Sequence, residues 1–215
     1  GRAVGKLAAM ALMIGLIVYV FANPLPASRT WTFWTLPLSG KTVVIDPGHG
    51  WVDGGAKSKT GLNEKDVTLT IGLFLRDYLQ QAGAVVYMTR ETDTDLASPE
   101  TRGLSRRKTE DLKKRVSLVN EVHPDIFLSI HLNAVPSSRW FGPQTFYTNN
   151  HPENASLAWF IQEELRENVV NTHRRSKTIH NIYVLEQSRV PTALVEVGFL
   201  SNAREAENLG DREYQ

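Results

Sequence analysis

The chain has 215 residues, 24 Lys and Arg against 23 Asp and Glu, a formal net charge of +1 at neutral pH, and no cysteine. That length fits one domain with a real core. The near-balance of charge gives no electrostatic ground for a nucleic-acid partner, and the lack of Cys removes disulfides, thiol nucleophiles and Cys-ligated metals.

The first element is apolar. Leu7 to Ser28 carry no charge, and Arg2 and Lys6 precede them. About 20 apolar residues span a bilayer core as a helix, and a basic flank favours an inside N-terminus. A membrane-spanning helix is therefore expected within residues 1–28, ended by Pro24 and Pro26. It reads as an uncleaved signal-anchor, or as a signal peptide cut near Val20-Phe21-Ala22, and either way the rest of the chain works outside the cytoplasm. Residues 29–40 read as an extended lead-in, with Trp31 and Trp34 at a membrane interface or packed on the domain.

From Thr42 the pattern alternates. Thr42–Asp46 is a β-branched run closed by Pro47-Gly48, a buried strand and a turn. Val67, Ile71, Leu75 and Tyr78 fall on one helical stripe between Glu64 and Gln81, with Asn63 as N-cap and Gly83 as stop. Ala84–Thr89 is a strand, Leu112–Val122 a helix, Asp125–Ile130 a strand, and Gln144–Thr148 a further strand. Ala155–Val170 is an amphipathic helix, and Ile182–Leu185 and Thr192–Val197 complete the strands. The order predicts a single α/β domain: a mostly parallel twisted sheet with helices on both faces.

Polar residues gather where the strands end, which is where open α/β sheets hold their ligands. Asp46-Pro47-Gly48-His49-Gly50 follows the first strand, His131 and Asn133 the third, and Glu196 lies in the last. Two histidines and a carboxylate from separate segments make an open zinc site, with a fourth position for water and a further acid to act on that water. Singly, His49 reads as a surface residue and Glu64 as a helix-start carboxylate favoured by the helix dipole. Glu196, between valines in an apolar strand, is the anomaly, because a buried carboxylate costs several kcal/mol unless it is paired or functional.

The segments VVIDPGHGWVDGGA, NEKDVTLTIGLFLRDYL, MTR, LSIHLNA and LVEVGFLSN resemble, in order from Lys41 to Gln215, the type-3 family of zinc-dependent N-acetylmuramoyl-L-alanine amidases. LPLSGK, DTDLASPETRGLSRRKTEDLKKRV and SIHLNAVPSSRWFG resemble its spore-cortex members. The resemblance implies a catalytic domain over residues 41–215, zinc ligands at His49, Glu64 and His131, and a catalytic glutamate at Glu196. It implies cleavage of the amide between the muramic lactyl group and L-alanine in peptidoglycan, during the cortex maturation that leads to muramic-δ-lactam. It further implies a polysaccharide deacetylase acting afterwards and, in some relatives, a sporulation lipoprotein as activator. The family's final helix is expected to be missing after Gln215. Trp51 stands where many relatives have glycine, so it is expected to narrow the substrate groove or stack on what the groove holds.

Weaker candidates complete the set. Asn133 orients a substrate carbonyl or a ligand, or simply forms a turn. Asp46 buttresses the turn or accepts a histidine N–H. Arg90 and Arg115 pair internally or meet the peptide's acids. His180 faces the groove, while His123, His151 and His173 are surface residues. Residues 101–115, with seven basic and two acidic side chains, are a solvated helix face or a dock for an anionic partner or acidic stem peptides. The competing functions are a vegetative autolysin of the same chemistry, a zinc carboxypeptidase, and a non-catalytic peptidoglycan-binding protein.

Overall fold

Strand β1, Thr42–Pro47, is the reference line of the domain, because its alternating side chains open the two cores. Val44 points to one face and packs with Val116, Val119, Phe127 and Leu194. Val43 and Ile45 point to the other and pack with Ile130, Val195, Ile71 and Leu75. In the computed structural model, residues 2–22, 36–169 and 172–215 are described. Residues 1–37 form one unit and Leu38–Gln215 another.

In the second unit β1 is followed by α2 (Glu64–Gln81), β2 (Val85–Met88), α3 (Leu104–Val122), β3 (Ile126–Asn133), β4 (Gln144–Tyr147) and α4 (Asn154–Asn168). Then come β5 (Lys177–Thr178), the single turn α5 (Tyr183–Glu186), β6 (Thr192–Phe199) and α6 (Ala203–Gly210). The strands form one sheet in the order β2-β1-β3-β6-β4-β5. All neighbours are parallel except β4 and β6, so the sheet is mixed. Helix α3 covers the Val44 face; α2 and α4 cover the other through Ile71, Leu75, Leu79, Ile161 and Leu165. Helix α6 closes a third cluster, in which Leu209 and Ala206 meet Val67, Leu132 and Leu200.

Four expectations change. Helix α1 forms over Arg2–Ala22, but among the described residues no helix is long and apolar enough to cross a membrane. After Arg2 and Lys6 only Leu7–Ala22 remain uncharged within it, roughly 24 Å at 1.5 Å per residue against a core of about 30 Å. The continuation to Ser28, with Trp31 and Trp34, lies outside the described residues. Helix α3 starts at Leu104 rather than Leu112; its first two turns bury Arg107 and Asp111 instead of an apolar stripe, so hydrophobic periodicity is silent there. Ile182–Leu185 is not a strand. Its residues bury Val184 and Leu185 in a helical turn, and four apolar residues do not distinguish strand from helix. Finally, β5 and α6 are elements that the sequence pattern did not reveal.

Candidate metal centre and its cleft

The three central strands β1, β3 and β6 are adjacent and parallel, so their carboxyl ends lie side by side. Asp46 stands opposite Ser129, and His131 opposite Glu196. Parity then puts Asp46, Ser129, His131 and Glu196 on the Val44 face, the side covered by α3. A shift in the β3–β6 pairing between His131 and Asn133 loosens the ladder where the site begins.

The turn after β1 carries His49 at φ 65 and Trp51 at φ 49, a left-handed backbone that costs a non-glycine residue about 1–2 kcal/mol. Two buried guanidiniums hold it there. Arg115 donates to Pro47 O at 2.9 Å and to His49 O at 2.7 Å. Arg90 donates to Pro47 O at 2.9 Å and Gly48 O at 3.0 Å. The turn carbonyls, which face away from solvent and from the ladder, are thereby all satisfied. Asp46 balances Arg115 with a 2.6 Å contact and accepts from Thr89 and Ser129, each at 2.7 Å. Burial alone would raise the Asp46 pKa; Arg115 and the two hydroxyls bring it down to about 2. Both arginines are thus structural and Asp46 buttresses the turn, with no hydrogen bond to a histidine among its contacts.

Glu64, 3% exposed, opens α2 and points back under the turn. Its Oε2 accepts from Ala56 N at 2.8 Å and lies 3.1 Å from His49 Nε2. Its Oε1 accepts from Leu132 N at 2.9 Å and lies 3.0 Å from His131 Nδ1. Close approach of backbone makes this possible. A Cβ on Gly48 would stand 2.3 Å from His131 Cε1, and one on Gly55 2.5 Å from Glu64 Oε2. Asn63 precedes the helix as expected but caps nothing; its amide donates to Asp66.

His49, Glu64 and His131 bring one donor atom each within 4.8 Å of one another, a group able to hold a metal ion. Ligands around a tetrahedral zinc, each ~2.0–2.2 Å from it, stand roughly 3.3 Å apart; here each imidazole approaches its own oxygen of Glu64, at 3.0 and 3.1 Å. The electrostatics agree. Burial disfavours a charged His49, yet Asp53 and Glu64 raise its pKa to about 9. Burial works against Glu64 as an anion too, but His131 and His49 hold it well below the carboxylate range. A field that stabilises an imidazolium between two carboxylates also stabilises a divalent cation. The residues present fit such an ion.

Glu196 is the unligated acid beside this group. Among the described residues its Oε2 is buried without a hydrogen-bond partner, and desolvation pushes its pKa up to about 7. It shares with His49, Glu64 and His131 a cleft of about 510 Å³ that also reaches Lys108 and Asn133.

The remaining candidates fall elsewhere. Trp51 is 48% exposed and lies outside the cleft lining; its ring stacks under the Arg107 guanidinium, 4.2 Å from the centroid. Asn133 does line the cleft, while His180 is exposed and does not. His123 caps α3 in a left-handed conformation. Residues 101–115 are only partly a solvated face, since Arg107 is buried on Asp95 at 2.6 Å and Arg115 is in the core. Asp53, whose Oδ2 sits 3.0 Å from His49 Nδ1, escaped the sequence reading, and Lys108, 3.0 Å from the same oxygen, entered it only as part of the basic run 101–115. Their signal was available in part, as Asp53 lies four residues after His49.

The family profile of N-acetylmuramoyl-L-alanine amidase (Amidase_3) matches residues 43–215. The chain is 50% identical over 212 residues to the germination-specific N-acetylmuramoyl-L-alanine amidase of Bacillus subtilis, covering 98% of this chain and 89% of that one. The structure of the CwlD amidase from Clostridioides difficile in complex with the GerS lipoprotein aligns with TM-score 0.79 and 38% identity, over 81% of this chain and 90% of that one. An N-acetylmuramoyl-L-alanine amidase from Clostridium difficile 630 aligns with TM-score 0.70 and 32% identity, over 83% and 89%.

Proposed function

Because the chain belongs to the N-acetylmuramoyl-L-alanine amidase family, we propose that it hydrolyses the amide between the muramic lactyl group and L-alanine in peptidoglycan, using zinc held by His49, Glu64 and His131. The observation that carries this is the meeting of those three donors with an unpartnered buried carboxylate, Glu196, in one cleft. A zinc ion there supplies Lewis acidity toward water and the scissile carbonyl. Glu196 accepts the proton of the attacking water on its free Oε2 and delivers it to the alanine nitrogen as the C–N bond breaks. Its apolar strand favours the neutral acid needed for that second transfer. Arg115 and Arg90 hold the His49 turn rigid, and Asn133 stands at the cleft wall to orient the substrate carbonyl.

The near full-length likeness to a germination-specific amidase supports a role in the spore cortex: stem peptides are removed, freeing the lactyl carboxylate for muramic-δ-lactam formation after deacetylation. The likeness to an amidase solved with a lipoprotein supports a lipoprotein activator for this chain as well. Helix α1, with its basic start, fits an export segment that delivers the domain outside the cytoplasm. The test is digestion of peptide-bearing cortex glycan by zinc-loaded protein, with products read by mass. Intact stem peptides beginning with L-alanine are expected. Trimming from the far end of the peptide would make the protein a carboxypeptidase instead.

A further inference from the structure

Of the charged groups lining the cleft, most are already spoken for. Asp46 and Asp111 are buried against Arg115, Glu64 lies between two imidazoles, and Glu196 is desolvated. Lys108 differs. It projects from α3 into the cleft wall with a side chain 47% exposed, and among the described residues its ammonium is fixed by one contact, 3.0 Å to Asp53 Oδ2. That single tether leaves two of its three donors free, while removing much of the rotamer freedom that makes surface lysines poor anchors. Arg115, also in the lining, spends its donors on Asp46, Asp111 and the turn carbonyls.

We propose that Lys108 is a specificity determinant that binds the free α-carboxylate of the second stem-peptide residue, so that the enzyme distinguishes D-glutamate from D-isoglutamine there. This rests on the amidase reading above. The reach agrees. Two 3.0 Å contacts through the same Asp53 oxygen put the ammonium on the Nδ1 side of His49, across the ring from the Nε2 that faces Glu64. A γ-linked D-glutamate following L-alanine carries its carboxylate two residues from the scissile carbonyl, about 7 Å in extended chain at ~3.3–3.6 Å per residue. A peptide whose carbonyl is at the His49–Glu64–His131 group and whose stem runs past the Asp53 side of His49 brings that carboxylate toward the Lys108 ammonium. The acid-rich surroundings sharpen the choice, since among the described residues Lys108 is the lysine of a cleft wall that otherwise carries Asp46, Asp53, Asp111, Glu64 and Glu196.

The experiment compares two muropeptides differing only in that group, α-carboxylate or α-carboxamide, cleaved by the zinc-loaded full chain and by Lys108→Met and Lys108→Arg, with metal content measured on each sample. Wild type is expected to favour the acid roughly tenfold or more, as a charge-assisted hydrogen bond allows. Lys108→Met should lose that preference mainly through KM on the acid substrate, and Lys108→Arg should keep it. Equal cleavage of both substrates by wild type, or equal losses on both in Lys108→Met, overturns the proposal; the second result marks Lys108 as a support for Asp53 and His49 only. Cleavage of neither by wild type, with the proposed lipoprotein activator supplied as well as without it, overturns the amidase reading itself.

Discussion

Replacing Arg115 by Met removes the cation that ties β1, the His49 turn and α3 together, while keeping most of its apolar volume. Arg115 is 1% exposed and donates to Asp46 at 2.6 Å, Asp111 at 3.0 Å, Pro47 O at 2.9 Å and His49 O at 2.7 Å. Stripping one partner from a buried ion pair costs about 3–5 kcal/mol, because the other charge stays behind in low dielectric. Pro47 O keeps Arg90, but His49 O is orphaned, adding about 1–3 kcal/mol. A loss near 5 kcal/mol is a large share of the ~5–15 kcal/mol available to a domain, and it lowers Tm by roughly 10–20 °C at this size. The loss should narrow at pH 4, since an unpaired, buried Asp46 has its pKa raised and is then neutral. Urea and thermal melts followed by circular dichroism at pH 7 and pH 4, with bound metal measured at each pH, read the effect. A Tm within 2 °C of wild type at pH 7 with full metal content would refute the claim that this guanidinium holds the turn.

Three further outcomes follow from the same geometry. Glu196→Gln should bind metal with unchanged stoichiometry, measured by elemental analysis, while kcat falls about 10²–10⁴-fold; loss of metal from a folded variant would make Glu196 a ligand. Gly55→Ala pushes a methyl to 2.5 Å from Glu64 Oε2 and 2.6 Å from His49 Cδ2 at φ +65, so chelator competition should show metal affinity down roughly 10–100-fold. In wild type, Asp46 titrates below its unfolded value, so the unfolded chain takes up that proton first on acidification. Its contribution is therefore present above about pH 4 and lost as the pH falls toward 2; in Asp46→Asn that part of the acid slope should vanish in urea melts.

The legible parts were those where residue type and local pattern carry the physics. Helix α2 kept both expected ends, because its stripe is apolar throughout and its start and stop are marked. Helix α3 lost its first eight residues to the reading, since Arg107 and Asp111 bury themselves by pairing with Asp95 and Leu96 N, and no apolar period reports that. His49, His131 and Glu196 stood out as polar groups at strand ends, while Glu64, at the start of α2, became a candidate ligand only through the family resemblance. Asp53 and Lys108 did not, because what distinguishes them is a shared 3.0 Å contact across 55 residues of chain.

By itself the sequence determined the α/β alternation, the strand-end clustering of His49, His131 and Glu196, and the family likeness, since each rests on residue identity and short-range spacing. The fold alone decided strand order, and thereby which ends became neighbours: β1, β3 and β6 lie together because long-range pairing, invisible in local periodicity, sets their places. It also decided that the two arginines face inward and that Lys108, tied to Asp53, lines the cleft with donors to spare. Charge is a property of the residue, but whether that charge is spent or available depends on what the folded chain brings within 3 Å of it.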